Sequence, residues 1–256
     1  MTPIAFTKQA GAAESRAYGL FARAGIPVPR VLGYADGVLS LEDLRETHAS
    51  DWARAGAMID LTADLHAAFW DNYDAFGEVG LPWRLDSPKN FGRHCKAMAR
   101  DARPYCRAHK MEAGDFRRAL AYLRGEMPKL IENRLRAGKH ITVIHGDLHP
   151  GNVLLNNAGQ GVFVDLEAVR MGLAAEDLAM LLGLHLAPER ERALPLLERY
   201  HRRLCERARG YAFETLLDDY RAALAENLFF PVKLWHNGID DVNMMEKAIQ
   251  AWREFV

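Results

Sequence analysis

Three oxygen-bearing side chains in the middle of the chain have the types and spacing of a magnesium site. Asp147 and Asn152 stand in the segment 144–155, Ile-His-Gly-Asp-Leu-His-Pro-Gly-Asn-Val-Leu-Leu, and Asp165 follows the apolar run 162–164. Carboxylate and amide oxygens are hard donors that suit Mg²⁺, which usually takes one or two carboxylates together with phosphate oxygens. The pattern therefore indicates magnesium-dependent phosphate chemistry. The alternative is a solvated polar loop on an unrelated fold.

Short apolar strands are expected to hold these polar residues in place. β-Branched and apolar runs predict three strands, at 141–144, 153–155 and 161–166. The polar segment between the last two predicts a turn and therefore a hairpin. Glu167 stands two residues beyond Asp165. If the strand continued, its side chain would point to the same side and could hold a water on a second metal ion.

The order His145-Gly146-Asp147, Asn152 and Asp165-Leu166-Glu167 resembles the catalytic loop and metal-binding segment of the protein-kinase-like superfamily. The glycine between His and Asp, and Asp-Leu-Glu where protein kinases have Asp-Phe-Gly, are similar to the aminoglycoside phosphotransferase and choline kinase branch. This resemblance implies an α+β, two-lobed protein-kinase-like fold. Its N-lobe would be small and β-rich, and its C-lobe large and mainly helical.

The resemblance also implies roles for individual side chains. Asp147 would orient the acceptor hydroxyl and take its proton, while Asn152, Asp165 and Glu167 would bind Mg²⁺. His149 would approach the γ-phosphate of the nucleotide or merely fill the loop. The donor would be ATP or GTP, because backbone groups at 41–44 would contact the purine and leave that choice open. Two further residues would be structural: His145 as a loop anchor and Asp177 as a brace for the loop. Apart from the resemblance, His66 lies beside the apolar stripe of the helix predicted over 51–70, which favours a core histidine over a catalytic one.

Lys8 and Glu14 match the order of the phosphate-binding lysine and its partner in this superfamily. Residues 4–8 predict a short strand, and apolar residues at helical spacing predict a helix over 12–24 that Gly25 ends. The resemblance implies that Lys8 contacts the α- and β-phosphates and that Glu14 orients it. The alternatives are an exposed strand lysine, and a Glu14 that merely favours the positive end of the helix dipole.

Only seven residues precede Lys8, and none of them forms a Gly-x-Gly-x-x-Gly loop. We therefore expect a shortened N-lobe over 1–45, either natural or the result of a start codon assigned too late, and a helical C-lobe over 46–256. Transfer of the γ-phosphoryl group to a hydroxyl of a small molecule is the function expected, with an aminoglycoside-type antibiotic, an amino alcohol or a sugar as acceptor. Two alternatives remain: a nucleotide-binding pseudokinase or regulatory protein without turnover, and a kinase acting on a protein or a lipid-linked sugar.

Helical periodicity begins near residue 50. It predicts one helix over 51–70 with Ser50 as its N-cap, an irregular segment over 72–90, and helices over 91–109 and 115–137. Pro128 is expected to kink or split the last of these. A further buried helix should open at Ala175, and the arginine-rich run 199–209 should form a solvated helix face.

Composition limits the partners and the compartment. The 256 residues include 33 Lys and Arg against 34 Asp and Glu, so a net charge of −1 offers no general attraction to nucleic acid or to an anionic membrane. No apolar run approaches the roughly 18 residues of a membrane span, and no leader pattern opens the chain, so we expect a cytoplasmic protein. Cys95, Cys106 and Cys205 lack metal-ligand spacing and suit free thiols. The oligomeric state is open.

Overall fold

The structure, a computed structural model, describes residues 5–44, 47–48, 54–79, 87–155 and 160–256. Ile4, Ser50 and the predicted turn residues 156–159 lie outside this part. The chain begins with three strands and a helix, and helices make up most of the chain that follows. The boundary expected between residues 45 and 46 falls outside the described residues and stays a prediction.

The N-terminal strands form an antiparallel sheet in the order β1-β3-β2. Their bounds are β1 Ala5–Gln9, β2 Val31–Ala35 and β3 Val38–Glu42. Helix α1, Ala12–Arg23, follows β1, and its buried residues Ala17, Tyr18 and Phe21 belong to the hydrophobic core. Gly25 has a φ of +75°, which a residue without a Cβ adopts readily, and the helix ends just before it as predicted.

Two small antiparallel sheets carry the central polar segment. Strand β4, Thr47–His48, pairs with β6, Val153–Leu155, which forms the predicted hairpin with β7, Gly161–Phe163. Strand β5, Thr142–Ile144, pairs instead with β8, Arg170–Gly172. All three described residues of β5 are buried, so the strand that leads into the segment is fixed within the core.

The third predicted strand is shorter than expected, and the placement of Glu167 on it is wrong. Strand β7 ends at Phe163, and residues Leu166–Ala168 form a 3₁₀ turn. Asp165 causes the change of direction, because its left-handed conformation, with a φ of 59°, cannot continue a strand. Glu167 therefore does not follow Asp165 with the two-residue alternation of a strand.

The first helices after the small sheets depart from expectation in their bounds. Helix α2 is Ala55–Ala68, with Arg54 at its N-cap position. The segment expected to be irregular contains helix α3, Tyr73–Val79, and helix α4 begins at Pro88 and runs to Ala108. Ser87 accepts a hydrogen bond from the Asn90 N–H at 3.3 Å, so an N-cap followed by proline starts this helix.

The longest helix, α5, is continuous over Gly114–Ala137, so the split considered at Pro128 does not occur. Helix α6, Ala174–Leu178, passes directly into a buried π-helix over Ala179–Leu186. The remaining helices are α7 Arg190–Cys205, α8 Phe213–Asn227, α9 Phe230–His236 and α10 Val242–Phe255.

Two arginines of α7 are not simply solvated, contrary to the interpretation of that run. Arg199 forms a two-point ion pair with Asp60 of α2, with N–O distances of 2.8 and 2.7 Å, and Arg203 pairs with Asp64 in the same way. Residues four apart lie on the same face of a helix, so the paired residues on α2 and α7 match in register.

Cys95, Cys106 and Cys205 are free, as expected. Within the described parts of the chain, no helix is long and apolar enough to cross a bilayer.

Candidate active site

Asp177 holds the start of the central loop by its backbone. Its two carboxylate oxygens accept hydrogen bonds from the N–H groups of His145 and Gly146, at 2.7 and 2.8 Å. A third bond, 3.1 Å long, joins it to His66 Nε2. Burial acts to raise the pKa of Asp177, but these hydrogen bonds and the nearby histidines outweigh it and the pKa lies below its usual range. The carboxylate therefore stays charged, as a brace for the loop requires.

Gly146 leaves room for an arginine from another strand. Its φ is +81°, and a Cβ on it would lie 2.1 Å from Arg170 Nη1 and 2.3 Å from the carbonyl oxygen of Ala168. Arg170 donates to the Gly146 carbonyl at 3.3 Å and to Glu176 at 2.7 Å. Gly146, the residue just before Asp147, is thus bonded through both of its backbone groups, its N–H to Asp177 and its carbonyl to Arg170.

His145 joins the loop to the segment that ends in Asp165. The ring is completely buried, and its Nε2–H donates to the carbonyl oxygen of Val164 at 2.9 Å. Burial is the main reason that the pKa of His145 lies below its ordinary value, so the ring is neutral at physiological pH. These contacts are those of an anchor.

Asp147 and Asn152 face each other across the loop. The amide nitrogen of Asn152 donates to the backbone carbonyl of Asp147 at 2.9 Å and approaches the carboxylate oxygen Oδ2 at 3.4 Å. This orientation leaves the amide oxygen of Asn152, a hard donor, as the atom available to a cation. Asn152 itself is only 6% exposed, so its position is fixed by the core.

Lys8 links the N-terminal sheet to Asp165. Its ammonium group lies 3.0 Å from Glu14 and is also in direct contact with the Asp165 carboxylate. Desolvation acts to lower the pKa of Lys8, but the hydrogen bonds and charges of Asp165 and Glu14 outweigh it and raise that pKa above the usual value. Lys8 is therefore a cation held between two carboxylates.

Glu14 and Tyr18 show how α1 supports this ion pair. Glu14 is only 3% exposed, and its burial raises the pKa of its carboxyl group against the opposing effect of Lys8. One turn further along α1, the Tyr18 hydroxyl accepts a hydrogen bond from the Asp165 N–H at 3.0 Å. Tyr18 thereby holds the backbone of Asp165 in its left-handed conformation, a contact that the sequence alone did not reveal.

A cavity of about 450 Å³ lies between the first sheet and the hairpin. Lys8, Asn152 and Asp165 lie in its wall. Its apolar surfaces come from both parts of the chain and include Phe6 and Leu154. Residues 41–44 also line it, where backbone contacts to a purine were predicted. The cavity therefore combines apolar surface for a flat ring with a cation and two oxygen donors for phosphates and a metal ion.

A second cavity, of about 670 Å³, opens on the other side of the central loop. Asp147 and Glu167 line it together with residues of α4, α8 and α9. Glu167 thus lines the same cavity as Asp147, whereas Asn152 and Asp165 line the first cavity. The structure brings Lys8, Asn152 and Asp165 together, and the metal-binding role of Glu167 stays a prediction.

His149 sits at the edge of the loop. Its Nδ1 accepts a hydrogen bond from the Gly151 N–H at 3.1 Å, and its Nε2 lies 3.9 Å from Asp147 Oδ2. Among the residues that line the two cavities in the described structure, His149 does not appear. Its predicted contact with the γ-phosphate therefore stays a prediction.

Asp165 and Asn152 supply a donor set that fits Mg²⁺. Across the described ranges, no three or more His, Cys, Asp or Glu side chains are arranged to hold a metal ion by themselves. One carboxylate and one amide oxygen in the wall of a single cavity are instead the partial set that Mg²⁺ takes when phosphate oxygens and water complete its octahedron.

Comparisons with solved structures show the fold. The choline kinase LicA from Streptococcus pneumoniae has a TM-score of 0.61 at 14% identity, with 100% of this chain and 88% of LicA covered. The structure of LicA in complex with AMP has a TM-score of 0.57 at 14% identity, with 100% of this chain and 86% of LicA covered. An aminoglycoside phosphotransferase from Alicyclobacillus acidocaldarius has a TM-score of 0.58 at 17% identity, with 98% of this chain and 81% of that protein covered. The predicted α+β, protein-kinase-like fold is thus confirmed.

Sequence comparison identifies the family. None of the curated proteins compared by sequence matches the chain. Residues 3–226, in contrast, match the sequence profile of the phosphotransferase enzyme family, known as APH. This match spans most of the 256 residues. The predicted resemblance to this group is therefore confirmed, and the chain belongs to the phosphotransferase enzyme family.

Proposed function

We propose that the protein transfers the γ-phosphoryl group of ATP or GTP to a hydroxyl group of a small molecule. The observation that carries this proposal is the position of the central loop between two cavities. Lys8, Asn152 and Asp165 line one cavity, and Asp147 lines the other. Such an arrangement holds a phosphoryl donor and a hydroxyl acceptor on opposite sides of one loop, which favours direct transfer between them.

In the first cavity, Lys8 binds the phosphates of the nucleotide and Glu14 fixes the direction of its ammonium group. Asn152 and Asp165 hold Mg²⁺, which neutralises charge on the phosphate oxygens when it is bound. Lys8 then exchanges its contact with Asp165 for contacts with phosphate oxygens. A complex of LicA with AMP shows that a protein of the same fold binds a nucleotide, which supports nucleotide binding here.

In the second cavity, Asp147 orients the acceptor hydroxyl and takes its proton as the phosphoryl group arrives. Phosphoryl transfer has a loose transition state with charge spread over the phosphoryl oxygens, so positioning contributes more than strong base catalysis. Glu167 lines the same cavity, and we propose that it contacts the acceptor or a water on the metal.

The charge of the second cavity favours an acceptor that carries an amine. Its wall contains six carboxylates against two permanent cations, Arg170 and Lys233, together with His94. Glu176 and Asp177 are engaged within the protein, the first with Arg170 and the second with the loop. Of the other four carboxylates, Asp101 pairs with Arg100 and Glu226 bonds to His94, while Asp147 and Glu167 also line the cavity. An amino alcohol, an amino sugar or an aminoglycoside suits this excess of negative charge, and choline kinase and aminoglycoside phosphotransferase occur among the proteins of the same fold.

The decisive experiment measures phosphorylated product rather than nucleotide loss alone. Purified protein with Mg²⁺ and either ATP or GTP is incubated with aminoglycosides, choline-like amines, neutral sugars and amino-acid alcohols, and products are identified by mass spectrometry. We expect phosphorylation of an amine-bearing acceptor. The Asp147→Asn variant should lower its rate about 10²- to 10⁴-fold. Asp218→Asn is the control, because Asp218 forms an exposed ion pair with Arg221 and lines neither cavity.

The same experiment separates the alternative functions. Nucleotide binding without product from any of these acceptors would favour a pseudokinase or regulatory protein, or a kinase acting on a protein or a lipid-linked sugar. Failure to bind nucleotide in the presence of Mg²⁺ would contradict both the phosphotransferase and the pseudokinase. Equal rates with neutral sugars and amines would contradict the proposed class of acceptor while leaving the reaction itself intact.

A further inference from the structure

Two histidine rings in tilted contact, one of them near Asp147, have no part in the reaction described above. The ring of His149 lies against that of His185, with centroids 5.3 Å apart and an angle of 31° between the ring planes. On its other side, His149 Nε2 lies 3.9 Å from Asp147 Oδ2. An imidazole is thus held between a second aromatic ring and the carboxylate proposed to face the acceptor.

The loop geometry fixes which nitrogen of His149 carries the proton. The Gly151 N–H donates to Nδ1, so Nδ1 must be the unprotonated nitrogen in this arrangement. The ring proton then sits on Nε2, which is the nitrogen nearest to Asp147. A hydrogen-bond donor therefore faces the carboxylate, about an ångström beyond normal bonding distance. Catalytic hydrogen bonds are often this long in the absence of substrate and shorten when the complex forms.

The loop residues are shaped around this ring. A Cβ on Gly151 would lie 2.8 Å from His149 Cε1 and 2.9 Å from Nδ1, so a side chain at that position would displace the imidazole. The backbone carbonyl of His149 accepts the Asn152 N–H at 2.9 Å, which ties the ring to the same turn that places Asn152. The position of His149 is therefore set by the backbone around it.

His185 provides the ring that lies against His149. It lies near the end of the π-helix Ala179–Leu186, a rare form of backbone that often occurs at functional sites. Lys247 of α10 donates to the His185 carbonyl at 3.0 Å and so holds the end of this helix. Burial, with a smaller effect of His149 and Lys247 and against the opposing charge of Asp241, lowers the pKa of His185 to about 4, so the ring is neutral.

The side chains of Asn152 and His149 both lie near the same carboxylate oxygen of Asp147. Asn152 Nδ2 approaches Oδ2 at 3.4 Å, and His149 Nε2 lies 3.9 Å from that same atom. A donor pair on Oδ2 would fix the rotation of the carboxylate and leave Oδ1 facing the acceptor. Without the second donor, the carboxylate can rotate about its Cβ–Cγ bond, for which the energy profile is broad.

We propose that His149 is a positioning residue for Asp147: it donates from Nε2–H to Oδ2 in the reacting complex and is held there by the Gly151 N–H and the ring of His185. This inference rests on the proposed function, because it gives Oδ1 of Asp147 the role of facing the acceptor hydroxyl. It differs from a contact between His149 and the γ-phosphate, and from a role of His149 as a simple turn cap.

The variant His149→Asn separates the three roles. Asparagine retains an oxygen near the place of Nδ1 and caps such turns well, but it cannot reach Asp147 Oδ2. We expect kcat to fall about 10- to 100-fold while the nucleotide KM and the melting temperature stay close to their original values. An unchanged kcat would show that His149 is only a cap. A raised nucleotide KM with kcat unchanged would show a phosphate contact. Either result overturns the proposal.

Variants of His185 test whether its ring supports the ring of His149. His185→Ala should lower kcat about fivefold, and His185→Phe should recover most of that loss, because the aromatic face is what supports His149. Equal losses in the two variants would contradict the role of the ring face. His201→Asn is the matched control, since this histidine bonds to the Tyr211 carbonyl and lines neither cavity.

A second readout needs no turnover, so it remains decisive if the chain proves not to be a phosphotransferase. Nitrogen-15 NMR of the imidazoles, with His149 assigned from the signals lost in His149→Asn, should show the proton on Nε2. Asp147→Ala should shift the Nε2 signal of His149, whereas His201→Asn should leave it in place. A proton on Nδ1, or an Nε2 signal unaffected by Asp147→Ala, overturns the proposal whatever the activity.

Discussion

Gly146 and Arg170 share a space that holds only one side chain. Protein kinases carry arginine between the His and the Asp of their catalytic loop, whereas this chain has glycine there. A Cβ at position 146 would meet Arg170 Nη1 at 2.1 Å, so the guanidinium from β8 occupies the volume that a loop side chain would need. The cation near the loop is thus supplied by a residue 24 positions further along the chain.

This crowding predicts the effect of Gly146→Ala. A φ of +81° costs a non-glycine residue about 1–2 kcal/mol, and the added methyl group must also displace Arg170 or the loop. We expect the free energy of unfolding to fall by about 2 kcal/mol or more, and phosphotransfer to fall with it as Asp147 moves. Urea unfolding and kcat are the measurements.

Gly125→Ala is the matched control for this substitution. Gly125 lies within α5, with nothing within 4 Å of its added Cβ, so alanine there should stabilise the helix by up to about 1 kcal/mol. If Gly146→Ala were as stable and as active as Gly125→Ala, the close contact between positions 146 and 170 would be disproved.

The difference between predicted and observed site residues follows from distance along the chain. Asp147, Asn152 and Asp165 could be picked out because one short loop and one hairpin carry them, so their spacing reflects their geometry. Tyr18 and Arg170 could not, because only the tertiary fold brings them to the site. The prediction that Glu167 lies on a strand was wrong because Asp165 has a positive φ. Nothing in the apolar run before Asp165 indicates that conformation.

Helices α2, α6 and α7 are connected to the loop by a buried chain of hydrogen bonds. The Tyr200 hydroxyl lies 2.7 Å from His66 Nδ1, and His66 Nε2 lies 3.1 Å from the Asp177 carboxylate. All three side chains are at most 1% exposed. Because Asp177 bonds the loop backbone directly, the packing of α7 on α2 helps to fix the position of Asp147.

Tyr200→Phe tests this connection. It removes the hydroxyl and leaves His66 Nδ1 buried without its partner, which costs about 1–3 kcal/mol of the free energy of unfolding. The neighbouring Arg199→Ala should cost less than about 1 kcal/mol, because its ion pair with Asp60 is partly exposed to water. Denaturant unfolding of the two variants compares them directly. A larger loss from Arg199→Ala would show that the surface ion pairs, and not the buried hydrogen bonds, hold α7 on α2.

The helices could be predicted to the extent that their own residues determine them. Helix α5 ends at Gly138 as expected, because its φ of +59° is the left-handed cap that glycine favours. Helix α3 was missed because it is only seven residues long and contains Gly77, so tertiary contacts rather than local propensity stabilise it. The π-helix has no local signal in the apolar run that forms it.

The ion pair of Lys8 links the first sheet to the part of the chain that carries the hairpin. Lys8 lies on β1 of the first sheet, while Asp165 follows the hairpin of the larger part, and their ion pair crosses the cavity between them. In the proposed function, Mg²⁺ would take the carboxylate that Lys8 contacts, and the phosphates would take the ammonium group. A nucleotide with its metal ion can bind the Lys8 ammonium and the Asp165 carboxylate at once. Nucleotide alone would leave the carboxylate without its new partner, and Mg²⁺ alone would leave the ammonium group without its new partner.

We therefore expect Mg²⁺ and nucleotide together to raise the melting temperature more than the sum of their separate effects. At a ligand concentration of about 100 times Kd, stabilisation of about 2.7 kcal/mol should raise the melting temperature by about 5–10 °C. ADP alone or Mg²⁺ alone should give much smaller shifts, measured by differential scanning calorimetry. Lys8→Met should lose most of the shift, whereas Lys129→Ala, which breaks an exposed ion pair with Glu126 on α5, should retain it. A shift independent of Mg²⁺, or one retained in Lys8→Met, would show that nucleotide does not displace the ion pair between the two parts.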